Sequence, residues 1–204
     1  MNVETLVVGM LEVNCYIAWD EETKYAFVID PGDEPQRIGE CIGELGVKPK
    51  GILLTHGHVD HIRAVPGLAR EYNIAALLHP DEHRLYFSPQ NELPPWLPRV
   101  NNLPAPSKVP HHVPGLEYDV IHTPGHTTGG CCYYFPEAQI LFSGDTLFCG
   151  SVGRTDLTGG DTDTLLKSIR EKLLTLPPET VVYTGHGPKT TIGVETETNP
   201  FLNA

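Results

Sequence analysis

Short apolar runs rich in Val, Ile, Tyr and Phe recur at 4–8, 14–19, 25–29, 51–54, 75–78, 118–122, 130–135, 139–142 and 180–183. Most end in Gly, Pro or Asp, the punctuation of strands. Two intervening stretches change to helical spacing. Ile38, Ile42 and Leu45 share one face of 35–45, with Gly46 behind them as a C-cap. Leu165, Leu166, Ile169 and Leu173 form an apolar stripe over 163–174, and the acids from Asp161 to Asp163 are placed as N-terminal caps and dipole partners. Clustered strands separated by helices, with both hairpins and crossovers, predict an α/β (α+β) chain with two sheets face to face and helices outside, a four-layer αββα sandwich. The Pro- and Asn-rich stretch 89–114 is longer than ordinary loops, which predicts a surface excursion, partly helical, near the site.

With 204 residues the chain suits one domain, 1–204, able to bury a real core. Its formal charge of −12, from 14 basic and 26 acidic residues, argues against the basic face of a nucleic-acid binder. No run approaches the roughly 20 apolar residues of a membrane span, and the start at Met1-Asn2-Val3-Glu4 has no leader pattern, so a soluble, cytoplasmic protein without nucleic-acid or membrane partners is expected. Cys15, Cys41, Cys131, Cys132 and Cys149 are odd in number and form no Cys-x-x-Cys pair, pointing to reduced, mostly buried thiols rather than a disulfide framework or thiolate site.

The run Thr55-His56-Gly57-His58-Val59-Asp60-His61 follows the strand 51–54 and packs four ligand-type side chains into six residues. Crowded imidazoles and carboxylates gain little from one another, whereas a divalent cation stabilises such a cluster. One run cannot satisfy two ions. Further candidates stand after later strands: His126 in Thr123-Pro124-Gly125-His126-Thr127, Asp145 in Ser143-Gly144-Asp145-Thr146 and His186 in Thr184-Gly185-His186-Gly187, each preceded by a glycine that lets backbone pass a crowded centre. His79, His83, His111, His112 and His122 read as solvated rather than as ligands.

These motifs, with Val28-Ile29-Asp30-Pro31-Gly32 and Gly153-Arg154-Thr155-Asp156-Leu157, resemble the metallo-β-lactamase superfamily over nearly the whole chain, and within it the short-form glyoxalase II (hydroxyacylglutathione hydrolase) enzymes. The resemblance implies a metal site at one edge of the two sheets. It assigns His56, His58 and His126 to one metal and Asp60, His61 and His186 to the other, with Asp145 bridging. It also makes Asp30 the carboxylate that hydrogen-bonds a metal-ligand His, a role compatible with its opening the Asp-Pro-Gly turn. The implied cofactors are two divalent ions, expected to be Zn²⁺, with Fe or Mn²⁺ suited to the same ligands. A hydroxide bridging the ions, with Asp60 and Asp145 the catalytic carboxylates, would attack the carbonyl of a small thioester or ester, S-lactoylglutathione being the leading substrate.

Arg154 suits a substrate carboxylate or an internal pair with Asp156. The alternatives are a mononuclear-iron persulfide dioxygenase, which resembles the chain around 153–156, a lactonase or other ester hydrolase, and last a non-catalytic metal-binding module. The chain continues only a few residues past Asn199-Pro200-Phe201, without the C-terminal helical domain of longer glyoxalase II enzymes, so a short form is expected.

Overall fold

The structure is a computed structural model that describes residues 1–108 and 112–203. The chain divides into two compact units, Met1–Glu117 and Tyr118–Ala204.

The first unit is built on a five-stranded sheet: β1 (Asn2–Val8), β2 (Val13–Trp19), β3 (Tyr25–Ile29), β4 (Lys48–Leu53) and β5 (Ala76–Leu77), in that order. β1 to β3 form an antiparallel meander, and β3, β4 and β5 run parallel. Helix α1 (Pro35–Leu45) crosses between β3 and β4, and α2 (Val59–Ile62) and α3 (Val65–Tyr72) lie between β4 and β5. Ile38, Ile42, Val65 and Leu68 are buried in one core with Val28, Ile52 and Ala76 of the sheet. The predicted C-cap holds, with Gly46 at φ 64 and its N–H on the Gly43 and Ile42 carbonyls. A further helix, α4 (His83–Tyr86), follows a 3₁₀ turn at Pro80–Glu82.

The second unit is a five-stranded sheet ordered β12-β11-β8-β7-β6. Its members are β6 (Asp119–His122), β7 (Cys131–Phe135), β8 (Ile140–Gly144), β11 (Val181–Thr184) and β12 (Thr190–Thr191), and a separate hairpin joins β9 (Leu147–Phe148) to β10 (Ser151–Val152). β6 to β8 are antiparallel neighbours, and β11 joins β8 in parallel. Leu165, Ile169 and Leu173 pack with Leu141, Val182 and Ile192.

The helix expected at 163–174 is α5 (Thr162–Ser168) continued by a π turn, Ile169–Leu173, where Leu174 N–H reaches back to the Ile169 carbonyl at 3.0 Å. Leu165, Ile169 and Leu173 of the predicted stripe are buried and Leu166 is half-buried. Asp161 caps α5, accepting the Thr164 N–H at 2.7 Å. The C-terminal helix α6 (Ile192–Thr198) was not legible as an apolar stripe, because it buries only Ile192 and Glu195 and is instead capped by Thr191. From 89 to 108 the described residues form turns and isolated bridges without a helix, contrary to the partly helical expectation, since prolines at 89, 94, 95, 98, 104 and 106 remove the backbone donors a helix requires. Among the described residues no helix is long and apolar enough to cross a membrane.

Candidate metal centre

Strand direction decides where the candidate ligands emerge. In the first unit β3 and β4 are parallel, so Asp30, after β3, and the run from Thr55, after β4, leave the same edge of the sheet. Open sheets with parallel strands place functional side chains at such carboxyl ends. In the second unit β8 and β11 are parallel, and β6 shares their direction through two antiparallel steps. Asp145 follows β8, His186 follows β11 and His126 lies beyond β6, again at one edge.

In the first unit Asp30 is the hub. It is 2 % exposed and holds a left-handed φ of 46, a conformation that Asp tolerates better than most residues. Its Oδ1 accepts the Thr55 N–H at 2.8 Å, and its Oδ2 accepts the Thr55 hydroxyl at 2.6 Å and faces His61 Nδ1 at 3.0 Å. A carboxylate only accepts, so His61 Nδ1 carries the proton and Nε2 keeps a lone pair. The Thr55 hydroxyl, having spent its hydrogen on Asp30, accepts from His56 Nδ1 at 3.0 Å and sets the same tautomer there. One carboxylate thus orients two imidazoles, directly and through a hydroxyl. The rings of His56 and His61 lie 4.2 Å apart and those of His56 and His58 4.8 Å apart, while His61 Nε2 stands 3.8 Å from Asp60 Oδ2.

The second unit repeats the pattern with a different acceptor. His126 Nδ1 donates to the backbone carbonyl of Arg154 at 2.7 Å, which leaves Nε2 as a lone pair. That Nε2 and the Nε2 of His186 each lie 3.6 Å from the same atom, Asp145 Oδ2. This is beyond useful hydrogen-bond length. Two donors bound to one tetrahedral ion at about 2.0–2.2 Å stand about 3.4 Å apart. The side chains therefore fit divalent metal, with imidazole nitrogens presented as lone pairs beside carboxylate oxygens.

Arg154 contributes to this arrangement through its carbonyl. Its guanidinium forms a bidentate fork with Asp156, both bonds 2.7 Å, on exposed surface, and that pairing holds the Asp156 carboxyl down to about 2. The internal pair is thus the alternative the geometry contains. Thr55 was not singled out in the sequence, although its position just before the ligand run was a usable signal. His112 is exposed, and His79, His83 and His122 are half-buried, His79 accepting the Asp81 N–H and His122 Nε2 meeting the Thr128 carbonyl. His111 lies outside the described residues. Of the cysteines, Cys15, Cys131 and Cys132 are buried, Cys41 is half-buried and Cys149 is exposed.

Asp30→Asn is expected to lower metal affinity by about 10–100-fold with the fold intact, the usual cost of losing a carboxylate that orients ligand imidazoles. Chelator competition with the stripped protein measures it, and unchanged affinity would remove Asp30 from the orienting role.

Comparison with known proteins gives consistent relatives. The family model described as the metallo-beta-lactamase superfamily matches residues 8–186. The hydroxyacylglutathione hydrolase GloC of Haemophilus influenzae is 37% identical, the match covering 100% of this chain and 99% of the relative. Among solved structures, the BLEG-1 B3 metallo-beta-lactamase superposes with a TM-score of 0.91 at 35% identity, covering 100% of both chains. TTHA1623, solved in a di-iron-bound form, superposes with a TM-score of 0.85 at 40% identity, covering 98% of this chain and 100% of that one.

Proposed function

The chain belongs to the metallo-beta-lactamase superfamily, with that family's fold and the character of a metal-dependent hydrolase, and from this premise we propose that it hydrolyses a small thioester of the hydroxyacylglutathione type at two divalent ions. On this proposal His56, His58 and His126 would hold one ion and Asp60, His61 and His186 the other, with Asp145 shared. The observation that carries the metal reading is the placement of His126 Nε2 and His186 Nε2 at equal distance, 3.6 Å, from one oxygen of Asp145. The thioester reading is supported by the full-length similarity to the Haemophilus influenzae hydrolase, and the two-ion reading by the di-iron form of TTHA1623.

Two such ions, when bound, polarise an acyl carbonyl and bring water to ionise near pH 7. The protein's own contribution is orientation. Asp30 and the Arg154 carbonyl hold protons on Nδ1 of His61 and His126, so that each ring offers Nε2. Asp60 and Asp145 are positioned to supply anionic oxygen beside those nitrogens. Because water ionised at such ions would supply the nucleophile, no Ser, Cys or His nucleophile would be required.

Purified protein should contain two ions per chain and release thiol from S-lactoylglutathione, with activity lost on chelation and regained with Zn²⁺, Fe²⁺ or Mn²⁺. One iron per chain with sulfite formed from a persulfide would overturn the reading, as would hydrolysis confined to lactones or β-lactams.

A further inference from the structure

The peptide groups on either side of Gly57 are held by two buried side chains from outside the ligand run. Gly57 N–H, in the peptide joined to His56, donates to Glu82 Oε2 at 2.8 Å. Gly57 C=O, in the peptide joined to His58, accepts from Asn91 Nδ2 at 2.7 Å. Glu82 is 0 % exposed and Asn91 6 %. The chemistry is matched rather than interchangeable: an acceptor-only carboxylate faces the N–H, and an amide donor faces the carbonyl. Burying a carboxylate is costly unless it is paired. Gly57 is itself buried, so its N–H and its C=O both need partners, and each is met by a side chain from outside the ligand run.

Resting on the metal reading above, we propose that Glu82 and Asn91 are positioning residues for the metal centre, a clamp that fixes the peptide planes next to His56 and His58 and thereby the direction in which each imidazole leaves the backbone. His56 is then anchored on both sides. Thr55 before it is tied to Asp30, and Gly57 after it is tied to the clamp. At His58 the clamp acts through Asn91, which holds the peptide plane that enters the residue. The clamp also gives the irregular segment a function, because Asn91 stands at its start, set in a turn by its own N–H on the Ser88 carbonyl at 3.1 Å.

The test strips the full-length protein of metal and titrates Zn²⁺ against a chromophoric chelator, with far-UV circular dichroism of each variant recorded without metal. Glu82→Ala and Asn91→Ala are expected to bind at least one ion about 10–100-fold more weakly than the wild type, the range for residues that orient metal ligands. Glu82→Gln, whose amide oxygen still accepts from Gly57, should recover most of the affinity. Asn91→Asp, which sets an anionic acceptor against the Gly57 carbonyl, should be worse than Asn91→Ala. If Glu82→Ala fails to fold, the Asn91 pair decides. Folded Asn91 variants that bind Zn²⁺ as tightly as the wild type would overturn the clamp while leaving the metal reading intact. A wild type that takes up no metal would overturn both.

Discussion

Asp145→Ala is expected to lose bound metal and turnover together, with hydrolysis falling by about 10²–10³-fold, the range for losing one preorganised stabilising group. The expectation follows from where the carboxylate stands. One oxygen, Oδ2, lies 3.6 Å from both His126 Nε2 and His186 Nε2, so its removal deprives two imidazoles of their common anionic neighbour. The loss should be chemical rather than structural. Asp145 is partly exposed, and the backbone around it is fixed by other bonds: the Ser143 hydroxyl donates to the Leu147 carbonyl at 2.8 Å, and Thr146 N–H to the Ser143 carbonyl at 3.1 Å. Stripped wild type and stripped variant should therefore melt at similar temperatures, while elemental analysis separates the metal-treated proteins. Full activity in the variant would refute the shared-ligand role.

The ligand run was legible because its information is local. Four donor side chains within six residues have little reason to coexist without a cation, and the strand before them fixes the edge from which they emerge. The parallel pairing of β3 with β4 and of β8 with β11 was less legible, because periodicity marks a strand without naming its neighbour. The carbonyl of Arg154 was illegible for a stricter reason. A backbone acceptor leaves no mark in the sequence, and Arg154 attracts attention for its guanidinium, which is committed to Asp156. The glycine preceding each distant ligand was read as clearance for the centre. At Gly125 the crowding neighbour is instead the start of α5, where an added Cβ would lie 2.3 Å from Leu165 N. At Gly185 the neighbour does belong to a candidate ligand, Asp145.

That last position makes Gly185→Ala a severe substitution by one methyl group. A Cβ there would stand 2.1 Å from Asp145 Oδ1 and 3.0 Å from the Gly144 carbonyl carbon, far inside contact distance. The strand end has little room to retreat, since Gly185 N–H donates to the Gly144 carbonyl at 2.8 Å and the Thr184 hydroxyl to the His186 carbonyl at 2.7 Å. The register shift between Tyr183 and Thr184 already bends β11 at this point. Relief must therefore come from the Asp145 carboxylate, which is displaced from His126 and His186. Overpacking of this kind costs about 1–3 kcal/mol, so a lowered melting temperature is expected together with a loss of bound metal approaching that of Asp145→Ala. Gly187→Ala separates the two effects. At φ 72 and with nothing within 4 Å of the added Cβ, it should lose about 1–2 kcal/mol through backbone strain yet retain its metal. If Gly185→Ala behaves like Gly187→Ala, destabilised but fully metallated, then Asp145 is not held in place by this contact, and the shared oxygen owes its position to the ions themselves.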